Sequence, residues 1–155
     1  MNGYLLDTDV LSMLAPSRTD ASTGVLDWLE RRDGEGRIFL SAVTVHEIEK
    51  GIALLEHKQA KAKAKVLKKW IGGLLSAYED KIIAIDAHIA TLSGGLEAKA
   101  IAGGHHPGMA DALIAGTAEA HSLVVLSGNT RHFLPFGVAV LTPAEAAASA
   151  KGTRS

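Results

Sequence analysis

Tyr4-Leu5-Leu6-Asp7-Thr8-Asp9-Val10-Leu11 opens the chain with a short apolar run that stops at a carboxylate. Such a run is too short for a buried helix and reads as a strand. Four similar runs follow: Ile38 to Leu40, Ile82 to Ile85, Leu123 to Leu126 and Val138 to Leu141. Between them lie helix-like segments around Val10 to Leu14, Ser22 to Arg32, Thr44 to Ala77 (read as two helices), Ala87 to Ala102 and Met109 to His121, and a short piece near Thr130 to Leu134. Continuous Val/Ile/Leu runs, rather than alternating apolar and polar residues, suit strands covered on both faces. Alternation of such strands with helices predicts an α/β fold with a central, mostly parallel five-stranded sheet. The segment from Met109 is apolar nearly all round, which predicts a deeply buried helix.

Length and composition set the bounds. A chain of 155 residues is the size of one domain with one sizeable core. We expect that domain to span 1–143, followed by a helix over 144–155 that frays into a tail. With 47% hydrophobic and 21% charged residues the composition is ordinary for a globule and excludes a disordered chain. Sixteen Lys and Arg against 17 Asp and Glu leave a net charge of −1, which excludes a surface that is basic throughout. The absence of cysteine removes disulfides, thiolate zinc sites and cysteine nucleophiles. Neither a signal peptide nor a membrane-spanning run is visible, so a cytoplasmic protein with no membrane partner is expected.

Several acids occupy informative positions. Asp7 ends the first strand, and open parallel sheets bind ligands outside the carboxyl ends of their strands; Asp7 or its neighbours could equally cap the following helix. Thr44, Glu47, Ile48, Gly51, Ile52 and Leu55 follow the spacing of a core-facing helical stripe, which puts the Glu47 carboxylate on a buried face. Buried charges are normally paired, protonated or bound to metal. The alternative is a capping box, Thr44-x-x-Glu47. Asp111 begins the helix after Pro107-Gly108, where it could simply complement the helix dipole. Asn129 follows the fourth strand in Ser127-Gly128-Asn129-Thr130, where a turn residue is also expected. Taken together, these positions lie at one end of a parallel sheet. Carboxylates gathered there repel unless a cation neutralises them, and an all-oxygen set suits Mg²⁺ or Mn²⁺ better than zinc. Such a site can stabilise the attacking and leaving oxygens of a phosphodiester during displacement by water.

At these residues the chain resembles the PIN-domain ribonucleases, and among them the toxins of VapBC-type pairs, including FitB-like members. The resemblance is carried by Leu5-Leu6-Asp7-Thr8-Asp9-Val10, Ser41-x-x-Thr44-x-x-Glu47-Ile48-x-x-Gly51, Met109-Ala110-Asp111-Ala112-Leu113-Ile114-Ala115 and Ser127-Gly128-Asn129-Thr130-Arg131-His132-Phe133. It implies a three-layer α/β/α fold and a metal-dependent endoribonuclease that acts as a toxin. It also implies that Asp7, Glu47 and Asp111 hold Mg²⁺ or Mn²⁺, with Thr8 supporting the first acid. Asn129 stands at the fourth acidic position of many relatives and brings no charge there. Asp9 stands where many relatives have Asn, and no catalytic role is carried over to it. Implied partners are an RNA substrate, a VapB-type antitoxin that takes the pair to operator DNA, and a second copy of the chain in a homodimer.

Two other readings stand beside this one. Asp7-Thr8-Asp9 and Leu126-Ser127-Gly128 resemble the first two motifs of haloacid-dehalogenase-type phosphatases. That chemistry needs a lysine and a further acidic pair downstream, and the stretch after Ser127 holds one lysine, Lys151, and one acid, Glu145. The second is a non-catalytic PIN-like module that binds RNA or protein, which metal-dependent cleavage would distinguish. His46, His132 and the pair His105-His106 lack paired ligand spacing and read as surface or structural. Trp28 and Trp70 read as core or interface residues. The lysines from Lys58 to Lys69 read as a solvated helix face that could also track phosphates.

Overall fold

A computed structural model of the chain describes residues 3–16 and 21–151. Five strands, β1 (Tyr4–Leu6), β2 (Ile38–Ser41), β3 (Ile82–Ile83), β4 (Val124–Leu126) and β5 (Val140–Leu141), form one sheet in the order β3-β2-β1-β4-β5. Every pairing is parallel, with Tyr4 level with both Ile38 and Val124, and Leu6 level with Leu126. The helices are α1 (Thr8–Ser12), α2 (Thr23–Gly34), α3 (Ala42–His57), α4 (Lys61–Ala77), α5 (Ala87–Ala102), α6 (Met109–His121) and α7 (Pro143–Lys151). No helix among the described residues is long and apolar enough to cross a membrane.

Alternation of side chains along the strands builds the three layers. Leu5 and Val125 point to one face and pack with Ala112, Ile114, Ala115, Ala118, Phe133 and Phe136. Leu6 and Leu126 point to the other and pack with Val10, Val25, Trp28, Leu29 and Ala146. Trp28 is thus a core residue. A smaller cluster of Ile52, Ala64 and Ile71 joins α3 to α4, with Trp70 packed against it. Helix α6 is buried along Ala112 and Ile114 to Ala118, as its composition predicts, while Met109 at its start is exposed.

Local chemistry moves several boundaries. Helix α1 starts at Thr8, earlier than expected, because Asp7 is its extended N-cap and its carbonyl accepts from the Val10 and Leu11 amides. Helix α3 starts at Ala42 because the Ser41 hydroxyl accepts from the Val43 amide at 3.1 Å. Gln59, at a left-handed φ of 63°, separates α3 from α4. The edge strands β3 and β5 are shorter than their apolar runs, each having one neighbour to pair with. Thr130 to Leu134 resolves into two 3₁₀ turns, Thr130–His132 and Leu134–Phe136. The expected tail is helical as far as Lys151, with Ala146 and Ala147 buried, and residues 152–155 lie outside the described residues.

Helices α5 and α6 approach so closely that Gly116 faces Ser93. A Cβ at Gly116 would overlap the Ser93 hydroxyl, which donates to the Ile89 carbonyl, and would lie 3.0 Å from the Ser93 amide nitrogen. Overpacking against backbone costs about 1–3 kcal/mol. Gly116→Val should therefore lower the midpoint of thermal unfolding by about 2–4 °C per kcal/mol lost. Gly72→Ala on α4, with nothing within 4 Å of the added methyl, should hold or raise it. Circular dichroism melts check both.

Candidate active site

The sheet order reverses beside β1: the chain builds outward through β2 and β3, then returns to β4 on the other side of β1. That reversal opens a crevice at the carboxyl ends of β1 and β4, where open α/β sheets bind ligands. Asp7 stands there, 8% exposed, its amide donating to the Leu126 carbonyl at 2.9 Å. Its carboxylate is held on both oxygens. Oδ1 accepts from the Thr8 amide at 2.8 Å and Oδ2 accepts from the Ser127 hydroxyl at 2.8 Å. Ser127, fully buried, in turn accepts from the Asn129 amide at 2.9 Å. Asp7 is both the helix cap and the centre of this cluster.

The other acids arrive from separate elements. Glu47 lies in the second turn of α3, half-buried, and its Oε1 accepts from the Thr8 hydroxyl at 2.6 Å. That bond decides against the capping box. Ser41 caps the helix, Thr44 is buried inside it, and Glu47 reaches across to α1 instead of back to the helix start. The stripe that carries Glu47 faces the cleft against α4 more than the sheet, since Gly51 is exposed and Leu55 half-buried. Asp111 sits in the first turn of α6, and its Oδ2 lies 3.6 Å from Nδ1 of His132. Asn129 is exposed at the start of the 3₁₀ turn.

Burial dominates the electrostatics, and mutual repulsion adds to it. Removal from water pushes the Asp7 carboxyl up to about 6; the Asp9 and Asp111 charges add to the rise, and the bonds from Ser127 and Thr8 oppose it. Burial also raises Asp111, helped by Glu47 and Asp9 and opposed by His132. Asp7, Asp9, Glu47 and Asp111 therefore share one field. As their side chains stand, no three metal-ligating groups among the described residues close around a single point. Asp7 has committed both oxygens, and Glu47 has committed one. The donor set still fits a hard divalent cation: it is all oxygen and self-repelling. Oδ1 of Asp9 is also buried without a hydrogen-bond partner among the described residues.

Three residues given no role from the sequence belong to this constellation. Ser127 is the first, and its signal is positional: it follows β4 as Asp7 follows β1. Asp9 is the second, its Oδ2 accepting from the Gly128 amide at 2.9 Å and so tying α1 to the turn that carries Asn129. His132 is the third, paired with Asp111 although a lone histidine is a weak sign in sequence. Two clefts adjoin the acids and share no lining residue. One, of about 350 Å³, runs from Thr8 and Glu47 along Ile48, Ile52, Leu67 and Trp70. The other, of about 310 Å³, joins Asp111 to His105, His106, Arg131 and His132.

Known proteins resemble this chain in sequence and fold. The model of the PIN domain family matches residues 4–134. Toxin FitB of Neisseria gonorrhoeae is 33% identical over 139 residues, covering 90% of this chain and 96% of FitB. The VapC ribonuclease Y4jK of Sinorhizobium fredii is 31% identical over 143 residues, covering 92% of this chain and 99% of that protein. In the crystal structure of FitAcB from Neisseria gonorrhoeae, a chain 33% identical superposes with a TM-score of 0.75 over 90% of this chain and 97% of that one. A chain of DNA-bound VapBC from Salmonella typhimurium, 21% identical, shares the fold at a TM-score of 0.74 over 92% of this chain and 99% of its own. With the family model spanning most of its length and relatives above 30% identity along nearly all of it, the chain belongs to the PIN domain family.

Proposed function

We propose that this chain is the toxin of a VapBC-type toxin–antitoxin pair and acts as a divalent-metal-dependent endoribonuclease. The observation that carries the reading is the crowding of Asp7 and Asp111 with Asp9 and Glu47 at the reversal of the sheet, tight enough that burial and like charge raise both the Asp7 and Asp111 carboxyls. Family membership and the toxin and ribonuclease names of its relatives support it.

Asp7, Glu47 and Asp111 would hold Mg²⁺ or Mn²⁺. Bound there, such an ion would lower the pKa of water, making it a nucleophile toward a phosphodiester, and would stabilise the negative charge that develops on the phosphate oxygens. The chain's own residues prepare for this. Ser127 and the Thr8 amide fix the orientation of the Asp7 carboxylate, and the Thr8 hydroxyl fixes Glu47. His132 offsets part of the charge at Asp111. Asn129, neutral and exposed at the turn, offers its amide to a water or a phosphate oxygen. The antitoxin would dock in the cleft lined by Ile48, Ile52, Leu67 and Trp70, which offers apolar side chains a seat and sets a basic one against Glu47. A homodimer completes the proposed assembly.

Cleavage of labelled RNA in Mg²⁺, Mn²⁺ or EDTA tests the chemistry. The wild type should cut with either metal and not in EDTA, while Asp7→Asn and Asp111→Asn should each lose about 100-fold or more in rate with the fold intact. Full cleavage by Asp7→Asn would sink the assignment. Unchanged RNA binding with no cleavage by the wild type in either metal would favour the non-catalytic module.

Stability against pH tests the crowding itself. The folded-state pKa of Asp7, about 6, lies above the ordinary 3.8, so its protonation favours the folded chain. That contribution is full below 3.8 and is lost as pH rises through about 6. Without metal, the melting midpoint of the wild type should fall between pH 5 and 7.5 relative to Asp7→Asn, and Asp7→Asn should melt higher at pH 7.5. Each pKa unit is worth about 1.4 kcal/mol, or roughly 3–6 °C in the melting midpoint. Parallel pH profiles for the two proteins would show that Asp7 is not under this strain.

A further inference from the structure

We propose that the cleft formed by His105, His106, Arg131 and His132 is a phosphate-binding subsite that seats the RNA phosphate next to the one being cut; this rests on the nuclease reading above. An RNA strand meeting four crowded carboxylates in a chain of net charge −1 needs cations at the point of approach. This cleft supplies one, Arg131, together with three imidazole N–H donors, where they are needed, because Asp111 forms part of its wall.

The donors are held in place by the fold. His105 and His106 come from the loop between α5 and α6, where Gly104 adopts φ +88° and the His105 amide donates to the Ala100 carbonyl at 3.0 Å. Arg131 and His132 come from the 3₁₀ turn after Asn129, pinned by the fully buried Phe133 that follows it. All four side chains are exposed at the cleft, and among the described residues only His132 has a carboxylate partner. A guanidinium carries a permanent charge and five N–H donors, and an imidazole donates at least one N–H in either protonation state. At about 310 Å³ the cleft has room for a phosphodiester and its ribose. The cleft on the other flank of the acids also has one cation, Lys63, but it is otherwise lined mainly by apolar side chains and has no imidazole donor. The backbone of the strand is thereby assigned to the α6 side.

Binding of a fluorescein-labelled 12-nucleotide RNA, followed by anisotropy in Mg²⁺ as KCl is varied, tests this. The Asp7→Asn protein serves as background so that the strand stays whole. Adding Arg131→Ala should weaken binding about tenfold and reduce the slope of log affinity against log salt by about 0.7, the share of one phosphate contact on a single strand. Arg131→Lys should restore the slope, and the pair His105→Ala with His106→Ala should weaken binding further. Arg31→Ala on α2, outside the cleft, removes the same charge and should leave affinity within about twofold. The proposal fails if Arg131→Ala and the double histidine variant bind as tightly as the background. It fails equally if Arg31→Ala weakens binding as much as Arg131→Ala, or if the background protein does not bind RNA. Wild-type protein that does not cut RNA in Mg²⁺ or Mn²⁺, together with the expected binding pattern, would overturn the nuclease reading and leave the subsite standing.

Discussion

The bond from the Ser127 hydroxyl to Asp7 Oδ2 joins the carboxyl ends of the two central strands. A carboxylate as buried as Asp7 is costly unless its oxygens are satisfied, and here one oxygen depends on the partner strand. Because Ser127 also accepts from the Asn129 amide, the same hydroxyl sets the start of the following turn. The bond exists only if β1 and β4 pair in register, Leu6 level with Leu126. Both apolar layers enforce that register, since a slip of one residue would exchange the faces of Leu5 with Leu6 and of Val125 with Leu126. The core therefore maintains a polar arrangement that would not hold itself together.

Crowding is the second consequence. Four carboxylates from α1, its cap, α3 and α6 share one field, and the repulsion is offset by hydrogen bonds to Asp7 and Glu47 and by His132 beside Asp111. The surroundings divide by chemistry, with apolar side chains lining the cleft between α3 and α4, and a guanidinium and three imidazoles lining the cleft beside α6. A near-neutral net charge is compatible with a nucleic-acid substrate once charge is sorted this way, because local potential and not the sum governs approach.

Much of this was legible in the residues. The apolar runs placed all five strands, since continuous Val/Ile/Leu segments report burial on both faces directly. Asp7 and Asp111 stood out as carboxylates at a strand end and a helix start. Glu47 did so because its helical spacing put it among apolar residues. The start of α3 was less legible. Ser41 and Thr44 are both good caps, and only the extended backbone at Ser41 decides between them. Ser127 had only its position after β4 to mark it and His132 had no distinct signal, because a serine after a strand and a histidine in a turn are common and their partners are distant in sequence.

The amino-acid sequence by itself determined the class of fold and the chemical nature of the site, because both depend on periodicity and residue type. Only the tertiary structure decided the strand order, with β1 between β2 and β4. It also decided the link from Ser127 to Asp7 across 120 residues, the turn of Glu47 toward Thr8 and the pairing of His132 with Asp111. Similar apolar runs do not specify which of them pair, and a polar side chain acquires its partner only after they have.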